Sequence, residues 1–272
     1  MLKNIFVLLT CITGIHAAIQ TSKAPAVAMD SGQQASTSDS KAQLSTNDSD
    51  QQVAVTYTAR EQALIDHIKK SIQLADQRKS KISKDIFAIE DFSSDKVRCL
   101  LNQICSLPKA NYLQIGVFHG ATLSSALYGN SDSLQSAIAI DDWAGYGGKS
   151  HIFPENCKKH LAKNKFKFYE ENFFTINKKA VFKSPVNIYF YDGDHSVHGQ
   201  SQSLTYYDEV LDDLFILVVD DWNHGPTKEG TFDGMSKLNY QVLYSVELPA
   251  DYNGDRAKWW NGIYVALVKK PK

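Results

Sequence analysis

Two segments of this 272-residue chain crowd ionisable groups directly behind apolar runs. The first is Tyr191-Asp192-Gly193-Asp194-His195-Ser196, which follows the end of VNIYFY. The second is Val219-Asp220-Asp221-Trp222-Asn223, at the end of FILVV. A packed strand end does not usually gather carboxylates and an imidazole without a task. If the two runs are neighbouring strands, Asp192, Asp220 and Asp221 converge on one hard cation. Mg²⁺ and Ca²⁺ take oxygen ligands, and Mg²⁺ needs only a few carboxylates plus water and substrate. A substrate hydroxyl on such a cation becomes more acidic. His195, beside these acids in the sequence, is then placed to accept its proton. Taken singly, each Asp fits a solvated loop charge equally well, and His195 fits a loop histidine bonded to backbone.

Two further motifs sit where strands should end. In Gln114-Ile-Gly116-Val-Phe-His119-Gly120-Ala-Thr122, Gly116 and Gly120 flank a strand-to-helix turn. Glycines there let a ligand approach the backbone, with a helix N-terminus behind it. The spacing is not GxGxxG, which argues against a dinucleotide pyrophosphate, and a plain tight turn fits as well. In Ile140-Asp141-Asp142-Trp143, Asp141 lies about twenty residues beyond the turn, where an acid can hold a ribose hydroxyl pair. Trp143 is suited to stack on an adenine. An aspartate capping a helix beside a half-buried Trp is the alternative.

The elements that must position these motifs alternate. Thr58-Ala-Arg-Glu61 is a capping box opening a helix with Leu64, Ile65, Ile68 and Ile72 on one face and Lys69, Lys70 and Arg78 in its later part. A second helix runs from Ser94, burying Val97, Leu100, Leu101 and Ile104, and stops before Pro108. Residues 80–92 carry no clear pattern. Strands are expected at 112–117, 135–140, 166–170, 186–191 and 215–219, with helices at 121–128, 153–164 and 199–211. Strands at 240–248 and 262–269 follow one another with only a loop between them. Continuous apolar strands alternating with helices mean a parallel sheet covered on both faces. The fold class expected is α/β: a Rossmann-like, doubly wound, mostly parallel sheet with an antiparallel C-terminal hairpin, preceded by N-terminal helices. All four motifs then lie at strand carboxyl ends, where such sheets bind ligands.

In this order and spacing, LQIGVFHGAT, AIAIDDW, YFYDGDHS and ILVVDDWN resemble class I S-adenosylmethionine-dependent methyltransferases. They are most similar to the branch labelled methyltransferase family 24, which includes metal-dependent sugar O-methyltransferases. The resemblance covers about residues 95–268, and DGDHS followed by a strand ending in DD is its most specific part. By position it implies that Gly116 and Gly120 shape the pocket for the methionine end of the cofactor and that Asp141 holds the ribose. It implies that Asp192, Asp220 and Asp221 ligate Mg²⁺ and that His195 stands as general base. The reaction implied is methyl transfer to an oxygen of a small hydroxylated, sugar-like acceptor, accelerated mostly by positioning. One departure matters: the motif opens with Gln114 where the family has an acid that helps hold the cofactor's amino group, and Gln brings no charge.

The bulk numbers set limits. With 43% hydrophobic and 22% charged residues and a formal net charge of -1, the chain has an ordinary globular composition and no nucleic-acid footprint. Residues 1–18 read as a secretory signal: a basic start, a short apolar core and small residues at Ala17 and Ala18. Export to the periplasm or medium follows if the leader is real, and a cytoplasmic location if it is not. Nothing after it is long and apolar enough to span a bilayer. Residues 19–55 are rich in Ser, Thr, Gln, Ala and Asp and read as a disordered linker, leaving 56–272 as the domain. Cys11 would leave with the leader, so Cys99, Cys105 and Cys157 remain, an odd number without CxxC, and neither a disulfide framework nor a zinc site is indicated. Two rival readings stand. An exported, non-catalytic binding protein would reuse the fold, and a metal-dependent oxygenase or hydrolase would use His195 and His198 beside Asp192. The aromatic stretches 142–148 and Trp259-Trp260-Asn261 either border an acceptor pocket or cover the sheet edge. Acceptor identity is not legible, and a homo-oligomer stays open.

Overall fold

The computed structural model describes residues 56–145, 150–161 and 166–272. The expected leader, the expected linker and residues 146–149 of the aromatic stretch lie outside the described residues.

The strands are β1 (Ala110–Ile115), β2 (Leu134–Asp141), β3 (Lys167–Glu170), β4 (Val186–Tyr191), β5 (Leu211–Val219), β6 (Gln241–Leu248) and β7 (Ile263–Lys269). They form one sheet in the order β3-β2-β1-β4-β5-β7-β6. The first five pair parallel, while β7 runs antiparallel to both β5 and β6. The expected C-terminal hairpin is therefore present, with its second strand inserted beside β5 and its first strand at the sheet edge.

Both faces of the sheet are apolar and buried, as the unbroken hydrophobic strands require. Along β4, Ile188 and Phe190 join one core layer and Tyr189 and Tyr191 the other. Along β5, Ile216 and Val218 alternate in the same way with Phe215, Leu217 and Val219. The helices follow in chain order: α1 (Ala59–Asp76), α2 (Lys84–Phe87), α3 (Asp95–Ile104), α4 (Ala121–Leu127), α5 (Ile152–His160), α6 (Lys178–Val181), α7 (Val197–Tyr207) and α8 (Gly225–Lys237). The first three precede the sheet. The capping box forms as expected. The Glu61 amide donates to Thr58 Oγ1 at 3.2 Å, and the Thr58 amide donates to Glu61 Oε2 at 2.7 Å. Lys269 Nζ donates to Glu61 Oε1 at 2.7 Å, which ties α1 to the last strand. Arg78 lies beyond the end of α1, in a left-handed conformation.

Several elements depart from the sequence reading. The helix expected at 199–211 ends at Tyr207; a short 3-10 turn follows, and Leu211 already belongs to β5, which is longer than expected. Within the uninterpreted stretch 80–92, α2 forms one short turn of helix. The whole of α8 was not anticipated. Its sequence, GPTKEGTFDGMSK, has three glycines, a proline and no helical apolar stripe. Tertiary packing stabilises it instead. Gly230 and Gly234 lie one helical turn apart against α7, and a Cβ added at Gly230 would sit 2.3 Å from the Val197 carbonyl oxygen and 2.6 Å from Gln200 Cβ.

This contact yields a test in which two effects oppose. Gly230→Ala gains about 1 kcal/mol of helix propensity but forces a methyl into a backbone carbonyl that can move only with α7. Overpacking prevails, and urea denaturation is expected to show a net loss of about 1–3 kcal/mol. Unchanged or increased stability would show that α7 and α8 have room to separate.

Candidate active site

The sheet register fixes the site. Ile115 pairs with Ile140 on one side and with Tyr191 on the other, and Tyr191 pairs with Val219. The next residue on each strand is Asp141, Gly116, Asp192 and Asp220. Four parallel strands thus end level, and these residues form one row at the carboxyl edge of the sheet. The row borders a cavity of about 580 Å³. Seven non-glycine residues have positive φ among the described residues, and four of them, Phe118, Trp143, Asp221 and Trp260, line this cavity. Such backbone strain concentrates at functional sites.

At the centre of the row Gly116 has φ 79°, and a Cβ there would lie 1.9 Å from the Asp192 carbonyl oxygen. Only glycine permits that approach. The chain then turns through Phe118 and Gly120 into α4. Asp141 Oδ2 accepts from the amides of Val117 and Phe118 at 2.7 and 2.9 Å, and Oδ1 accepts from the Trp143 amide at 2.8 Å. Asp141 therefore holds the turn and still faces the cavity with unused acceptor capacity on Oδ1. The Trp143 indole is anchored by donation to the Phe118 carbonyl at 2.9 Å and packs on Phe153 and Phe168.

Not every residue singled out in the sequence reaches the cavity. Gln114 is 0% exposed and turns away from it. Its Nε2 donates to the Gly116 carbonyl and to Thr122 Oγ1, both at 2.8 Å, while Oε1 accepts from the Tyr112 hydroxyl at 2.9 Å. Gln114 braces the turn and does not line the cavity. Gly120 is also absent from the lining. Its φ of 86° and the Phe153 ring, 2.8 Å from where a Cβ would be, account for the glycine. His198 is exposed on α7 and does not join the acids, so the two-histidine arrangement is not formed. Trp259 and Trp260 separate, Trp259 into the core and Trp260 onto the cavity wall.

Of the acids at the ends of β4 and β5, Asp192 and Asp221 converge on His195, while Asp220 stands outside that group. His195 Nε2 lies 2.9 Å from Asp221 Oδ2 and 3.6 Å from Asp192 Oδ1. One ligand atom from each of Asp192, His195 and Asp221 lies within 4.8 Å of the others. Asp220, 2% exposed, accepts from the Asp221 amide at 2.8 Å and faces the same cavity. Asn261 donates to Asp221 Oδ1. Burial and repulsion from Asp221 raise Asp192 to about 7, against the pull of His195. Burial, then Asp192 and Asp221, hold Asp220 far above the usual carboxylate range. Burial works to raise Asp221 as well, but the hydrogen bond and charge of His195 keep it below. Burial disfavours the imidazolium, yet Asp192 and Asp221 together raise His195 to about 11. Two carboxylates flank one imidazolium with Asp220 buried nearby, and the raised proton affinities of Asp192 and Asp220 show that full ionisation of all three acids is unfavourable.

Several lining residues were not anticipated: Asp91 from the uninterpreted stretch, Asn172 and Phe173 after β3, and His224 before α8. None sits in a motif, because each reaches the cavity from a loop whose course only the tertiary fold sets.

Residues 113–222 match the family model described as a methyltransferase domain. Among curated proteins nothing matches the chain. Among solved structures the chain is similar to the O-methyltransferase from Bacillus cereus in complex with SAH, at 11% identity and a TM-score of 0.48 over 78% of this chain and 98% of that one. It is similar to precorrin-6y C5,15-methyltransferase from Geobacter metallireducens GS-15, at 15% identity and a TM-score of 0.49 over 70% and 97%. It is also similar to the N-methyltransferase NodS from Bradyrhizobium japonicum WM9 in complex with S-adenosyl-L-homocysteine (SAH), at 11% identity and a TM-score of 0.47 over 77% and 99%. The sheet order and its strand-end site are those of a Rossmann-like α/β fold, and the part of the chain that carries the site is the part that matches a methyltransferase domain.

The placement of Gln114 gives a test. Gln114→Glu restores the acid that the family motif carries but removes the donor to the Gly116 carbonyl and buries a charge. Denaturation is expected to show a loss of about 2–4 kcal/mol, with no gain in affinity for SAH. Tighter SAH binding at unchanged stability would contradict the inward placement.

Proposed function

We propose that this enzyme transfers a methyl group from S-adenosylmethionine to an oxygen of a small hydroxylated, sugar-like acceptor, with Mg²⁺ held by Asp192, Asp220 and Asp221. The observation that supports it most is the gathering of these acids and His195 on one cavity wall beside the glycine turn.

The donor set suits a hard divalent cation. All three acids offer oxygen ligands, and a cation would offset the burial and mutual repulsion that now raise the proton affinities of Asp192 and Asp220. When bound, Mg²⁺ would acidify an acceptor hydroxyl and lower the proton affinity of His195. The protein's own residues supply the rest. Asp141 offers Oδ1 to the ribose hydroxyls. Gly116 leaves the backbone open for the methionine portion of the cofactor. His195 Nε2, held between Asp192 and Asp221, accepts the acceptor's proton once it is neutral. Phe173 and Trp260 contribute apolar wall that excludes water from the sulfonium. Export by residues 1–18 belongs to the same proposal, and the N-terminus of the mature protein tests it: a start near Ile19 is expected, and a chain beginning at Met1 would remove the export reading.

Titration of the full chain with SAH and with Mn²⁺ as a Mg²⁺ substitute tests the site assignment. Wild type is expected to bind both. Asp220→Ala is expected to lose the metal while keeping SAH affinity. His195→Ala is expected to bind SAH normally while its rate falls by about 100-fold or more. If wild type binds no SAH, with or without the metal, the domain is a non-catalytic reuse of the fold. Equal Mn²⁺ affinity in wild type and Asp220→Ala would refute that ligand.

A further inference from the structure

A further acidic position on the cavity wall has no part in the reading above. Asp91 lies between α2 and α3, outside every sequence motif, and is buried with its side chain against the cavity. Its Oδ2 accepts from the amides of Ala121 and Thr122 at 3.1 and 3.3 Å, and its Oδ1 from the Phe92 amide at 2.8 Å. All three donors are neutral backbone groups. Among the described residues Asp91 makes no ion pair. The nearby cations donate instead to main-chain carbonyls, Arg98 to those of Ile86, Phe87 and Ile89 and Arg256 to those of Ser93 and Asp91 itself, which fixes the segment without an ion pair to the Asp91 carboxylate. Burial accordingly raises the Asp91 pKa, with Arg98 offsetting only part of the effect. A buried carboxylate without a cationic partner is costly, and one that faces a cavity has access to a cation carried by a ligand.

The position of Asp91 indicates which cation. Asp141 grips the start of the turn through the Val117 and Phe118 amides, and Asp91 grips its end through the Ala121 and Thr122 amides. The two carboxylates bracket one short stretch of backbone. A ligand lying along that stretch with its ribose hydroxyls at Asp141 presents its opposite end to Asp91. In S-adenosylmethionine that end carries an ammonium group with three donors. Gln114, where the family motif would bring a charge, is sealed beneath the turn.

We propose that Asp91 receives the α-ammonium group of the cofactor and supplies the charge that Gln114 lacks. The inference rests on the methyltransferase reading. It is tested by calorimetric titration of the full chain with two ligands: SAH, which has the ammonium, and 5′-methylthioadenosine, which keeps the nucleoside and sulfur but lacks the amino-acid end. Asp91→Asn retains an acceptor for the turn amides and removes the charge. Its affinity for SAH is expected to fall by about 10- to 100-fold, with its affinity for 5′-methylthioadenosine within about 2-fold of wild type. Asp91→Ser, which keeps a hydroxyl acceptor for the helix, is expected to show the same split. Unchanged SAH affinity would overturn the proposal. Equal weakening of both ligands would also overturn it, because Asp91 would then be only a brace for the turn. A wild type that binds 5′-methylthioadenosine no worse than SAH would overturn it while leaving the cofactor site standing. A wild type that binds neither would remove the proposal together with the methyltransferase reading.

Discussion

The site depends on one constraint: β2, β1, β4 and β5 end level, and Gly116 has no side chain at the centre of that edge. The Asp192 carbonyl occupies the space a Cβ would need. Because it can, the Asp192 amide reaches the Ile115 carbonyl at 3.0 Å and the Asp220 amide reaches that of Tyr191 at 3.1 Å. The ladder thus continues one residue past the strands, and the acids that follow are fixed by backbone hydrogen bonds rather than by loop packing. A side chain at Gly116 would force β1 and β4 apart and misplace both the turn and the acids.

Electrostatics and backbone geometry reinforce one another along this edge. Carboxylates normally avoid burial. Here Asp141 spends its charge on three amides of the turn, which makes it a structural brace as well as a ligand candidate. Asp192 and Asp221 share His195, and Asp220 accepts from the Asp221 amide. Their mutual repulsion is tolerated because the strand ends leave them no alternative, and Asp221 bears a left-handed φ of 55° in the same place. The edge therefore holds acids whose full ionisation is unfavourable, beside a cavity that in the proposed reading takes a cationic cofactor. The same distribution suits a sulfonium donor and a divalent cation.

Much of this was legible in the sequence because it rests on local pattern. The apolar runs ending in DGDHS and DD identify β4 and β5, and both ends lie where the parallel-sheet argument puts them. Thr58 and Glu61 announce α1 through their capping chemistry. What was not legible depends on contacts distant in sequence. Helix α8 has neither propensity nor amphipathic spacing, and its glycines make sense only against α7. Gln114 sits in a motif, but its inward rotation follows from its hydrogen bonds to Tyr112 on the same strand and Thr122 on α4. Asp91 comes from a segment without periodicity, and only the path of the chain from α2 to α3 brings it to the start of α4. Level strand ends could be inferred as a class of geometry. Which loops close over them could not.

The most direct measurement is a crystal structure of the full chain grown with SAH and Mn²⁺, with anomalous scattering recorded at the manganese edge. The account predicts ribose density against Asp141 and a single manganese peak bounded by Asp192, Asp220 and Asp221. A nucleoside bound away from the strand ends, or manganese outside that cluster, would contradict it.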